Sequence, residues 1–152
     1  MKRFVYLLSL CFLLFSACSN DPNQANNAQE PAEPTEPVYS MVEEMPRFPG
    51  CEEKEGTDRQ ACANKKLLEY VRSSLKYPET AKANKKEGQA VVSFHVEKDG
   101  SITNVEIVRD LEWGMGKEAK RIVESFPKFI PGKQNGEAVI VRYNLPIKFN
   151  LN

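Results

Sequence analysis

The chain has 152 residues, 41% hydrophobic and 28% charged, with 21 Lys and Arg against 21 Asp and Glu. That length leaves room for one small domain with appendages. A balanced charge and a single histidine exclude the clustered basic face that a nucleic-acid binder needs and argue against a metal centre, which is normally built from several Cys and His side chains.

Lys2 and Arg3 precede an almost unbroken apolar run from Phe4 to Phe15, which closes in Phe15-Ser16-Ala17-Cys18. A basic start, a short apolar stretch and small residues predict a secretory signal over residues 1–17. The run falls short of the ~18–20 residues that span a bilayer. The cysteine after Ser16-Ala17 is similar to a bacterial lipobox, in which Cys18 becomes the acylated (palmitate-bearing) first residue of the mature protein. A plain cleaved signal that leaves Cys18 free is the alternative.

Residues 18–45 form the next segment, rich in Asn, Gln, Pro, Glu and Ala. So polar a stretch buries too little surface to offset its ordering entropy and is expected to be a disordered linker. Its Glu30-Pro31, Glu33-Pro34 and Glu36-Pro37 units favour extended, polyproline-like stretches. The zero net charge is unevenly spread. Setting aside Lys2 and Arg3, and the six linker acids Asp21, Glu30, Glu33, Glu36, Glu43 and Glu44, leaves 19 basic against 15 acidic residues, about +4 on residues 47–152.

The domain is predicted over residues 46–152, with its core at 77–151. Met45-Pro46-Arg47-Phe48-Pro49-Gly50-Cys51 reads as a strap anchored by Phe48. Cys51 and Cys62 are expected to pair in an exported, oxidising setting; two free thiols or half of a metal site are the alternatives. Thr57 to Gln60 fits a capping box, and Leu67, Leu68, Val71 and Leu75 predict the buried stripe of the helix that follows. That helix stops near Lys76, because Pro78 disfavours helix at Tyr77. A second, short helix runs from Pro78 to about Lys86, ended by Gly88.

A strand follows over Gln89–Glu97, with Val92, Phe94 and Val96 on one face and Val91, Ser93 and His95 on the other. Asp99-Gly100 turns it into a second strand over Ser101–Arg109, with Val105 and Ile107 inward. A third helix, Gly116–Ser125, directs Ala119, Ile122, Val123 and Phe126 inward. Asn135-Gly136 turns the chain into a final strand, Ala138–Phe149. The predicted fold class is α+β: a three-stranded antiparallel sheet, order 2-1-3, packed on helices. The final strand lies at an edge, where Pro146, which lacks a ladder donor, is tolerated, and where Arg142 and Lys148 discourage self-pairing.

No enzyme constellation is present: there is no Gly-x-Ser-x-Gly elbow and no Gly-rich phosphate loop. His95 has no Cys or Ser partner nearby in sequence. Neither a catalytic residue nor a cofactor is predicted. The chemistry on offer is an extended edge, Val139, Ile140, Val141, Arg142, Tyr143, Asn144 and Leu145, beside which a peptide gains main-chain hydrogen bonds whatever its side chains. An edge that only completes the core is the bland alternative.

The ordered pieces Tyr77-Pro78, Glu87-Gly88-Gln89 opening the Val92-Phe94-Val96 run, Lys98-Asp99-Gly100, Phe126-Pro127-Lys128-Phe129-Ile130-Pro131-Gly132 and Asn135-Gly136 together resemble the TonB C-terminal domain family over about half the chain. The resemblance implies a non-enzymatic module in the bacterial envelope. It would dock the N-terminal TonB box of TonB-dependent outer-membrane receptors beside its last strand, in support of uptake of siderophores, cofactors or glycans. In the family a Gln-Tyr-Pro loop lies near the bound peptide; here it reads Lys76, Tyr77, Pro78, so an amide contact is replaced. The family's Trp before Pro-Gly is Phe129. The family's transmembrane helix, which contacts motor subunits, is replaced by a signal that ends in Cys18, and Ser19 after it favours the inner leaflet of the outer membrane with the domain in the periplasm. Two other readings stand: an inner-membrane transducer with an uncleaved anchor, and an envelope scaffold on peptidoglycan.

Overall fold

A computed structural model describes residues 36–151. The signal over 1–17, Cys18 and the linker up to residue 35 lie outside the described residues. In chain order the elements are β1 (Val38–Tyr39), α1 (Gly56–Ser74), α2 (Glu79–Ala83), β2 (Gly88–Val96), β3 (Ile102–Arg109), α3 (Met115–Glu124), β4 (Gly132–Gln134) and β5 (Glu137–Phe149).

The fold is α+β with a mixed sheet of five strands, in which β1, β5, β2 and β3 lie side by side in that order and β4 pairs with β5. The predicted antiparallel trio is its centre: β3 and β5 flank β2. The expected count of three strands is corrected to five. β1 joins β5 in parallel, and β4 makes a short hairpin with β5. The sheet therefore takes in Val38 and Tyr39, which composition assigns to the linker. A two-residue strand carries no alternation that a sequence pattern can display.

The core lies between one sheet face and the helices. Val92, Phe94 and Val96 of β2 and Val141, Leu145, Ile147 and Phe149 of β5 are buried at every second residue, which is the pleat's period of two. They meet Leu67 and Val71 of α1 and Met115, Ala119, Ile122 and Val123 of α3. Val105 packs against this core, and Ile107 pairs with Val92 across irregular register. Leu68, expected inward, is half exposed. The buried stripe of α1 is the narrow row Ala63, Leu67, Val71, and Leu68 sits one residue, about 100°, off it.

Aromatic rings bind the strap to this core. Phe48 lies 5.5 Å from both Tyr70 and Phe129, and Phe94 stacks 5.4 Å from Tyr143; ring pairs at such separations add to simple burial. Cys51 and Cys62 form a disulfide with Cα atoms 6.0 Å apart, fixing the strap to α1. The predicted capping box at Thr57 does not form. α1 begins at Gly56, after an extended Glu55 that makes no side-chain cap, and Gln60 donates to Asn64 Oδ1 at 3.0 Å instead. The Asp58 carboxylate in the first turn still faces the positive end of the helix dipole.

Candidate peptide-docking edge

Neighbouring strands divide β5 into two halves. Val139 pairs with Gly132, Ile140 with Val38, and Val141 with both Tyr39 and Val96. From Arg142 to Phe149 the strand pairs with β2 only, in continuous register from His95 down to Gly88. Among the described residues no strand pairs with this stretch on the side away from β2. A central strand has two neighbours; here eight residues have one. Pro146 lies in this one-sided half.

The chain leaves the edge at Ser40, and there the lane opens into a cleft of about 840 Å³. Its floor is Arg142, Tyr143 and Asn144; its walls are the strap, through Glu43, Met45 and Arg47, and the start of α1, through Arg59 and Asn64. Backbone hydrogen bonds hold the strap wall: Arg47 N donates to Ile130 O at 3.0 Å, Ile130 N returns to Arg47 O at 2.9 Å, and Glu44 and Lys133 exchange a similar pair. The Glu43 carboxylate accepts from Asn135 N at 3.0 Å and from the Gln134 amide at 3.2 Å, which ties the strap to the turn before β5. The Arg59 guanidinium is held by the Lys54 carbonyl.

Side chains of β5 alternate about this edge. Tyr143 points to the core face, where burial pushes its hydroxyl above the usual phenol range. Arg142 points to the opposite face and donates from Nε to Ser93 Oγ at 3.1 Å, which satisfies a hydroxyl that is 2% exposed. Its guanidinium also stands 3.7 Å from Glu106. On the same face His95 Nδ1 lies 3.3 Å from the Asn104 amide.

The Lys76-Tyr77-Pro78 loop lies at the other end of the open half. Tyr77 packs edge-on against Phe149 at 5.8 Å, and its hydroxyl donates to the Lys86 carbonyl. Lys76 N donates to Glu118 Oε1 at 2.7 Å. Burial pushes the Glu118 carboxyl up, but the Arg121 guanidinium and this N–H outweigh burial and hold it below the usual range. Six residues separate Phe149 from Tyr143, ~20 Å along a strand. The loop and the cleft are thus the two ends of one open lane, not neighbours.

The structure places all seven expected edge residues on one strand. It leaves Arg142, Tyr143, Asn144 and Leu145 with a single neighbouring strand, while Val139, Ile140 and Val141 pair with β4 or β1. Arg47, Arg59 and Asn64 enter the cleft without a motif of their own. The only sequence signal for them was the Cys51–Cys62 pair, which brings the strap to α1. Among the described residues no helix is long and apolar enough to cross a membrane.

A family profile described as the C-terminal part of the Gram-negative bacterial TonB protein matches residues 73–151, which span α2 to β5 and hold the whole one-sided stretch. Among solved structures, a solution structure of the Helicobacter pylori TonB C-terminal domain is 23% identical, covering 65% of this chain and 97% of that one, with a TM-score of 0.42. A shorter fragment of the same domain is 24% identical, covering 57% and 91%, with a TM-score of 0.39. Among curated proteins none matches the chain.

Proposed function

The chain belongs to the family of Gram-negative bacterial TonB C-terminal domains, and on that premise we propose that it is a non-enzymatic docking module. It receives the N-terminal TonB-box segment of a TonB-dependent outer-membrane receptor as an added strand beside β5, in support of uptake of siderophores, cofactors or glycans. The observation that carries this reading is the one-sided half of β5, Arg142–Phe149, with its open lane and cleft. An extended guest gains backbone hydrogen bonds there, and pockets beside alternate residues select its side chains.

Attachment through an acylated Cys18, with the domain in the periplasm and the anchor in the inner leaflet of the outer membrane, is the second part of the proposal. It rests on the Phe4–Cys18 pattern. An intact-mass measurement tests it: a mature chain beginning at acylated Cys18 is expected, and an unmodified or uncleaved N-terminus refutes it.

Docking is tested by titrating the labelled protein with a synthetic peptide that covers a receptor's TonB box and following backbone amides. The largest shifts are expected at Arg142–Leu145, on the open lane. Saturating peptide without a response in that stretch overturns the reading.

A further inference from the structure

We propose that the chain's own Glu36–Tyr39 segment is a removable occupant of the docking edge, which a guest strand displaces to gain the full lane. The proposal rests on the reading of β5 as a docking edge and names how that edge is regulated.

Three observations carry it. First, β1 is already a strand added beside β5: Val38 pairs with Ile140 and Tyr39 with Val141, in parallel. It lies in the same lane that stands open from Arg142 onward, so a guest that extends toward Ile140 meets β1 head-on. Secondly, β1 is weakly held. It has two residues. Val38 is 45% exposed and the following Met41 84%, so little apolar surface is lost when it leaves. Its other fastening is a Glu36–Lys98 ion pair at 2.6 Å, with both side chains about half exposed; such surface pairs contribute little. Thirdly, the rest of the strap does not depend on β1. The backbone pairs of Glu44 with Lys133 and Arg47 with Ile130, and the disulfide at Cys51, stay in place when the chain opens at Ser40–Val42. The hinge and the peelable part are therefore separate.

The occupant also indicates the guest's chemistry: an extended segment with a β-branched residue and an aromatic at the Ile140–Val141 level, and a carboxylate two residues upstream to meet Lys98. Occupancy by β1 lowers apparent guest affinity by the fraction of molecules in which the lane is open.

The test uses the full chain and a double variant, Val38→Pro with Tyr39→Pro, which removes both backbone donors of β1. The probe is a synthetic peptide of the chain's own residues 33–41. It is expected to bind the variant about tenfold more tightly than the unaltered chain, the competition that a two-residue ladder of individually weak hydrogen bonds offers, with amide shifts at Ile140 and Val141. A TonB-box peptide then displaces it. Equal binding to both chains, or binding to neither, overturns the proposal. Own-segment binding that a TonB-box peptide fails to compete leaves the removable occupant standing and removes the receptor-docking reading instead. Hydrogen exchange on the unaltered chain gives a second readout that needs no peptide. Val38 and Tyr39 amides are expected to exchange at least tenfold faster than those of the β2–β5 ladder, and equal protection overturns the proposal.

Discussion

Substituting Gly100 by alanine tests how the hairpin tip supports the cleft. Gly100 has φ +81°, and a Cβ there would lie 1.9 Å from the Phe129 carbonyl oxygen. A side chain in the left-handed region costs ~1–2 kcal/mol by itself. The overlap adds to this, because backbone cannot swing aside as a flexible side chain can. Phe129 N donates to Gly100 O at 2.8 Å, and Phe129 is 3% exposed. Relief of the clash breaks that bond and leaves polar groups partly unsatisfied, a further ~1–3 kcal/mol. The expected total is about 3–5 kcal/mol, or a fall in Tm of ~12–20 °C for a domain of this size. Gly136→Ala is the internal control: φ is +80°, but nothing lies within 4 Å of its Cβ, so only the conformational cost of ~1–2 kcal/mol remains. Urea unfolding of both variants, compared at equal m-values, separates the two contributions. Equal losses in Gly100→Ala and Gly136→Ala would refute the argument. Since Ile130 pairs with Arg47 next to Phe129, Gly100→Ala is also expected to speed hydrogen exchange at the Arg47 amide, which lies in the cleft wall.

The Cys51–Cys62 bridge has a sequence separation of 11; Cys62→Ser is expected to cost roughly 3 kcal/mol in the chain-entropy view and to loosen the strap more than the sheet, and a Tm that does not respond to reductant contradicts this. Asp99 accepts from Lys128 Nζ at 2.6 Å and from Ser101 N and Oγ at 2.9 and 2.5 Å, and these contacts, with Lys128 the foremost, hold its carboxyl well below the usual range. A depressed carboxyl gives stability that is fully present above its unfolded pKa, near 4, and is lost as pH falls toward the folded value. The Tm gap between the unaltered chain and Asp99→Asn is therefore expected to be widest near neutral pH and to narrow below pH ~4; a gap that stays constant from pH 7 to pH 2 would count against this.

Much of the centre of this fold was legible in the chain, because the signals there are local. The apolar alternation of Val92, Phe94 and Val96 needs only the strand's own pleat to place a face inward. Asn135 and Gly136, with φ of +51° and +80°, take the left-handed turn that their types favour. The ring contacts of Phe48 and the pairing of Cys51 with Cys62 follow from an apolar anchor and two thiols in a short strap.

Tertiary structure alone decided how much of β5 is an edge. Val38 and Tyr39 have no period, and their place depends on partners about a hundred residues away, at Ile140 and Val141. Glu43 reads as one more linker acid until it meets Asn135. Leu68 counts as apolar in any pattern, yet the surface available to α1 is only as wide as the row from Ala63 to Val71. Local chemistry specifies the elements; which backbone groups stay open depends on where distant segments come to rest.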